Sequence, residues 1–195
     1  MMSLQPITLT GKSIRLEPMA IAHVSGLTQA GLHPELWQLQ PAPITTEEDM
    51  RCYVQTALDD QQRDASLPFV IVDAATNSVI GSTRYMDIAL QHFRLEIGAT
   101  WLTPMHQRSR ANTEAKLLLL GPAFESLGIK RVVFKTEALN EQSRKALARL
   151  GAVEEGMFRQ HLYTTSGRVR DMVYFSILEN EWPGVKAALT SRLAQ

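Results

Sequence analysis

The chain has 195 residues, 45% of them hydrophobic, which is enough for one domain with a substantial core and short for two, so residues 1–195 are expected to form a single domain. Twenty basic and twenty acidic residues cancel, so no overall field draws the chain to nucleic acid or to an anionic membrane. The lone cysteine, Cys52, excludes an internal disulfide, fits a reducing compartment and reads as a small apolar residue on a helix.

The first eleven residues carry neither a basic stretch nor an apolar run of the kind a secretory leader needs. No later run approaches the roughly 18 apolar residues of a membrane span. A cytoplasmic location is therefore expected. Residues 13–17 alternate polar and apolar as a half-buried strand, which Pro18 ends. A short helix follows over residues 20–29. Residues 34–43 hold three prolines and Trp37 in an irregular segment, where Trp37 either packs under the loop or walls a pocket. Thr46, Glu47, Glu48 and Asp49 then open a helix that runs to about residue 62.

Three strand patterns come next, over residues 68–73, 79–86 and 93–102, most simply connected as an antiparallel meander. The third contains Gly98, which marks either a bulge or room for a neighbouring side chain. The polar run from Gln107 to Lys116 then feeds into a leucine-rich helix over residues 112–128, with Asn112 or Thr113 as its cap and Pro122 inside it. The first amides of a helix lack intrahelical acceptors and favour negative charge, so this turn can cradle a phosphate. It can equally be an ordinary loop before a core helix. A strand at residues 131–136, a helix at 140–150, two strands at about 153–165 and 169–178 joined by Ser166-Gly167, and a final helix at 181–193 complete the order. That final helix carries an apolar stripe which either covers its own sheet or meets a second subunit, so a monomer and a homodimer both stay open.

Several of these runs together resemble one family. They are Asn112-Thr113-Glu114-Ala115-Lys116 with the leucines after it, Arg131 to Thr136, Asn140 to Arg144, Leu150-Gly151-Ala152, Gly167-Arg168-Val169-Arg170-Asp171 and Glu181-Trp182-Pro183. The pattern is similar to that of the GCN5-related N-acetyltransferases, in the branch near the ribosomal-protein N-terminal acetyltransferases. The resemblance implies an α/β fold: a mixed, mostly antiparallel twisted sheet with splayed central strands and helices on both faces. It also implies acetyl-CoA as donor, an amine acceptor that is a small molecule or a protein N-terminus, and no metal. The five histidines show no paired ligand spacing.

By that resemblance the acetyl-CoA site comprises Gly98, Trp101, Leu102, the turn Gln107, Arg108, Ser109, Arg110, Ala111, Asn112 and Thr113, and Asn140, Ser143 and Arg144. The family's turn is glycine-rich, whereas Arg110 stands at its central glycine and Arg108 at another frequent one. Two guanidinium groups either contact phosphate directly, which we expect, or narrow the groove. Ser143, one helical turn from Asn140, is the expected proton donor to the leaving sulfur, with Tyr163 as the alternative donor, near His161 and Arg159 on one strand face. Glu96 is either the base that deprotonates the amine or a solvated strand residue, and a backbone amide near Gly98 would stabilise the oxyanion. A non-catalytic CoA-binding module and a cofactor-free interaction domain are the alternatives to an enzyme.

Overall fold

The structure, a computed structural model, describes residues 5–195, so the first four residues of the leader reading lie outside it. Its strands are β1 (Leu9–Thr10), β2 (Ile14–Pro18), β3 (Ser66–Asp73), β4 (Val79–Ala89), β5 (Arg94–Leu102), β6 (Arg131–Glu137), β7 (Val153–Tyr163) and β8 (Val169–Leu178). They build one sheet in the order β1-β2-β3-β4-β5-β6-β8-β7. All neighbours are antiparallel except β5 and β6, which run parallel through a helical crossover.

Helices cover both faces, because strand side chains alternate and here both sets are apolar. In β3, Val70 and Val72 face α1 (Val24–Gly31) and α2 (Glu47–Gln62), in a core with Leu27, Met50, Val54, Trp37 and Trp101. Phe69 and Ile71 face the opposite core, which is filled by α3 (Ala111–Glu125), α4 (Glu141–Leu150) and α5 (Trp182–Ala194) through Leu119, Leu120, Leu147, Leu150 and Leu189. The final helix thus covers its own sheet, with Trp182 stacked on Phe124 at 5.5 Å. Cys52 lies on α2 as expected but is exposed, because the buried stripe of that helix is Met50, Val54 and Ala57.

One local expectation is corrected. The cap of α3 is neither Asn112 nor Thr113, since the helix starts at Ala111. The Ser109 hydroxyl accepts from the Ala111 amide at 3.1 Å and donates to the His106 carbonyl at 2.7 Å, which places Asn112 and Thr113 inside the first turn. Glu114 also lies in that first turn and reaches from it to the sheet. Its carboxylate accepts from the amides of Lys12, Ser13 and Ile14 at 2.5, 2.9 and 3.1 Å, clamping the start of the sheet onto α3. A β-carbon at Gly11 would come within 2.5 Å of that carboxylate. Any larger residue would have to displace it.

Candidate functional site

The candidate site opens at the parallel pair of strands, β5 and β6. Pairing between β5 and β6 covers Arg94↔Arg131, Leu95↔Val132 and Glu96↔Val133, and stops there. β6 stays paired with β8 through Glu137, while β5 stays paired with β4 through Leu102. The facing edges of residues 97–102 and 134–137 therefore open as a V, the splay expected between the central strands. Extended backbone on both walls can bond a polar chain laid between them.

The bulge falls beside Gly98, not on it. Arg84 pairs with Gly98 and Ser82 with Trp101, so β5 carries one more residue than β4, and Ala99 takes the left-handed conformation at φ 48°. Gly98 leaves room for its neighbours. A β-carbon there would approach Glu96 Oε1 to 2.8 Å and the Met86 sulfur to 2.9 Å.

At the wide end of the V lies the turn before α3. The Gln107 side chain donates to the Leu102 carbonyl at 3.2 Å and accepts from Gln142 Nε2 at 3.2 Å, joining the turn to the start of α4. Arg108 and Arg110 are exposed and make no ion pair among the described residues. Arg108 holds φ 59°, a conformation that glycine adopts freely and other residues hold at a cost of roughly 1–3 kcal/mol. The backbone thus keeps the shape of a glycine turn while the side chain adds a cation. Across the V, Asn140 caps α4, its Oδ1 accepting from the Ser143 amide at 2.9 Å and its amide nitrogen left over. Ser143 is half-buried one turn along.

Five expected contributors sit differently. The side chains of Trp101, Leu102 and Ala111 are packed in the two cores, so only their backbone runs along the opening. The Arg144 guanidinium is held by Glu154 at 3.2 Å. Tyr163 is 64% exposed at the outer end of the β7–β8 hairpin. The tyrosine beside Lys135 is instead Tyr174, whose ring centroid lies 5.8 Å from Lys135 Nζ and whose hydroxyl is 3.0 Å from His161 Nε2.

Glu96 is buried, which overturns its reading as a solvated strand residue. Burial pushes its pKa up, and Lys135, 2.7 Å away, only partly offsets this. The contact lacks hydrogen-bond alignment, so Oε2 keeps unused acceptor capacity. Burial by itself would lower Lys135, but the Glu96 carboxylate outweighs it and the net shift is upward. Further along the same face, Glu137 is enclosed by Arg168 and Arg170, and Arg170 reaches the Leu39 carbonyl at 3.0 Å. With the Thr165 amide on the Pro41 carbonyl at 2.9 Å, this ties the β7–β8 hairpin over the irregular 34–43 segment. Trp37 belongs to the core beneath, edge-on to Trp101 at 5.4 Å with its indole nitrogen on the Gly31 carbonyl at 2.8 Å.

On the opposite face, Lys116 from α3 reaches into the V. Its ammonium donates to Thr100 Oγ1 at 2.9 Å and lies 5.9 Å from the Phe134 ring, one contact on each splayed strand. Burial lowers its pKa to about 7. Among the described residues no group of three or more His, Cys, Asp or Glu side chains is arranged to hold a metal, and no helix is long and apolar enough to cross a membrane.

A mixed sheet parted at its one parallel pair, with an amide-rich turn at the wide end, defines an acetyl-CoA-type N-acyltransferase architecture. The chain belongs to the Acetyltransferase (GNAT) domain family, whose model matches residues 13–153. That family uses acetyl-CoA as its acetyl donor, and the chain is an acetyltransferase of this class. It is similar to YdaF of Bacillus subtilis (strain 168), provisionally named a ribosomal N-acetyltransferase, at 38% identity over 48% of this chain and 50% of that protein. It is also similar to the N-acetyltransferase p20 of Bacillus licheniformis, whose own function is uncharacterized, at 29% identity over 91% of this chain and 99% of p20. A solved structure from T. thermophilus, provisionally described as an acetyltransferase, superposes with a TM-score of 0.90 at 36% identity, covering 98% of this chain and all of the other.

Proposed function

We propose that the chain transfers the acetyl group of acetyl-CoA to a primary amine, and that the amine is the N-terminus of a protein. The observation that supports the donor half is the opening between residues 97–102 and 134–137, which ends at the cationic turn. In this reading Arg108, Arg110 and the first amides of α3 hold the diphosphate, and the pantetheine arm follows the unpaired strand edges. The protein-acceptor half rests on the name given to YdaF.

Bound there, acetyl-CoA supplies a thioester activated toward nucleophiles. Glu96 Oε2 takes one proton from the acceptor ammonium, so the amine arrives neutral. Its raised pKa brings it nearer to the strength a base needs at neutral pH. As the new C–N bond forms and the C–S bond breaks, the Ser143 hydroxyl hands its proton to the departing sulfur, and the second proton of the acceptor nitrogen, shed as the amide forms, passes through solvent to replace it.

The test is steady-state kinetics with acetyl-CoA and a series of short peptides. Ser143→Ala is expected to lower kcat by about 10²-fold with little change in acetyl-CoA affinity, as for a group acting mainly in the transition state. Unchanged turnover would remove Ser143 from the mechanism. Wild-type protein that acetylates no free N-terminus would overturn the acceptor assignment.

A further inference from the structure

Arg84 is a buried, strongly basic group to which acetyl transfer as described gives no role. It lies on β4 at 6% exposure, its Cζ 4.4 Å above the Tyr53 ring. Among the described residues its guanidinium makes no hydrogen bond and no ion pair, and its Nε is fully enclosed without a partner. Enclosing a guanidinium without an anion is costly, and proteins seldom retain one that nothing repays.

Its surroundings say what is missing. Arg84 pairs across the strands with Gly98, over which Glu96 Oε1 lies, so the Arg84 and Glu96 side chains leave the same face of the sheet. They stay apart: Glu96 pairs with Lys135. Lys135, Arg94, Arg168 and Arg170 stand here against Glu96, Asp87 and Glu137, so with Arg84 the cations outnumber the carboxylates by five to three. A polycationic acceptor would meet repulsion here, and an anionic group would complete the set.

We propose that the acceptor carries a carboxylate within a few bonds of the amine that is acetylated, and that Arg84 is the specificity-determining residue that binds it. This rests on the acetyl-transfer reading, with Glu96 receiving the amine and Arg84 the carboxylate beside it. The guanidinium fork then gains the bidentate partner that its geometry fits. Two sources supply this chemistry: the α-carboxylate of a free amino acid, and the side-chain carboxylate of an acidic residue at a polypeptide N-terminus.

The experiment compares acceptors matched except for one group: methionine against methioninamide, and an N-terminal Glu tetrapeptide against its Gln counterpart. Wild-type protein should favour the carboxylate member of at least one pair by about 10²-fold in kcat/KM, and the pair that responds identifies the source. In Arg84→Met the preference should collapse, and Arg84→Lys should restore part of it. Calorimetric binding of the favoured acceptor to the protein saturated with CoA should weaken by a similar factor in Arg84→Met, independently of turnover. Equal rates within both pairs, or a preference that survives in Arg84→Met, overturns the proposal. Protein that binds CoA yet acetylates none of the four acceptors overturns it together with the acetyl-transfer reading; acetylation of all four without discrimination overturns it alone.

Discussion

Glu96→Gln lowers kcat by about 10²–10³-fold while leaving acetyl-CoA affinity unchanged, if the enclosed carboxylate is the base. Glutamine keeps the shape and the polarity but accepts no proton at neutral pH, so the deficit isolates proton transfer from packing. The pH dependence carries the sharper signature. In the wild type the rate rises as Glu96 ionises, and burial has moved that ionisation upward. The variant loses this limb, and its remaining activity grows only at higher pH, as the acceptor loses its proton in solution. Lys135→Met serves as the companion. Removing the cation 2.7 Å away takes the offset from the burial effect, so Glu96 ionises later and the acidic limb moves to higher pH. A pH–rate profile identical to wild type in both variants excludes Glu96 from the chemistry.

Lys116→Met is expected to make the protein more stable, by about 4 kcal/mol at pH 7, since each pKa unit corresponds to about 1.4 kcal/mol. The sign follows from the depressed pKa. Lys116 titrates near 10.5 unfolded and at about 7 folded, so between those values the unfolded chain binds the extra proton. Stability therefore rises with pH from about 7 to 10.5, and below 7 the full penalty of the buried ammonium applies. Methionine matches the length of the stem, needs no proton and leaves Thr100 its hydroxyl contact with Thr83 at 2.8 Å. Denaturant titrations of both proteins at pH 7 and pH 9.5 measure this directly. The gap should narrow at the higher pH, and a variant less stable than wild type at both values contradicts the account.

Most of the scaffold was legible from patterning, because each strand and helix between residues 13 and 193 carries its own period and its own stops. The parting of β5 from β6 was not. Residues 93–102 read as one strand marked at Gly98 by a bulge or room for a side chain, and the loss of a partner beyond Glu96 is a property of the sheet that no local signal records. It was reached only through the family resemblance. The turn was visible as a polar break before leucines, yet its cap was assigned too late in the chain, since Ser109 outcompetes Asn112 and Thr113 by bonding back to His106.

Side-chain roles failed where burial decides them. Glu96 and Arg84 look like the polar half of two alternating strands, and nothing short of the fold reveals that both are enclosed. Lys116 had left a trace, standing on the same helical stripe as Ala115, Leu119 and Ala123 where an apolar residue is the rule. Tyr163 was named as the alternative donor because sequence spacing cannot tell which end of a hairpin reaches the sheet centre.

The measurement that bears most directly on the central claim is amide hydrogen exchange with and without acetyl-CoA. The account predicts new protection in residues 97–102, in the turn 107–113 and in residues 134–137, with β2 and β3 unchanged, and its loss at matched ligand concentration in the Arg108→Ala, Arg110→Ala double variant. Protection that arises elsewhere, or exchange between the splayed strands that acetyl-CoA leaves untouched, would contradict it.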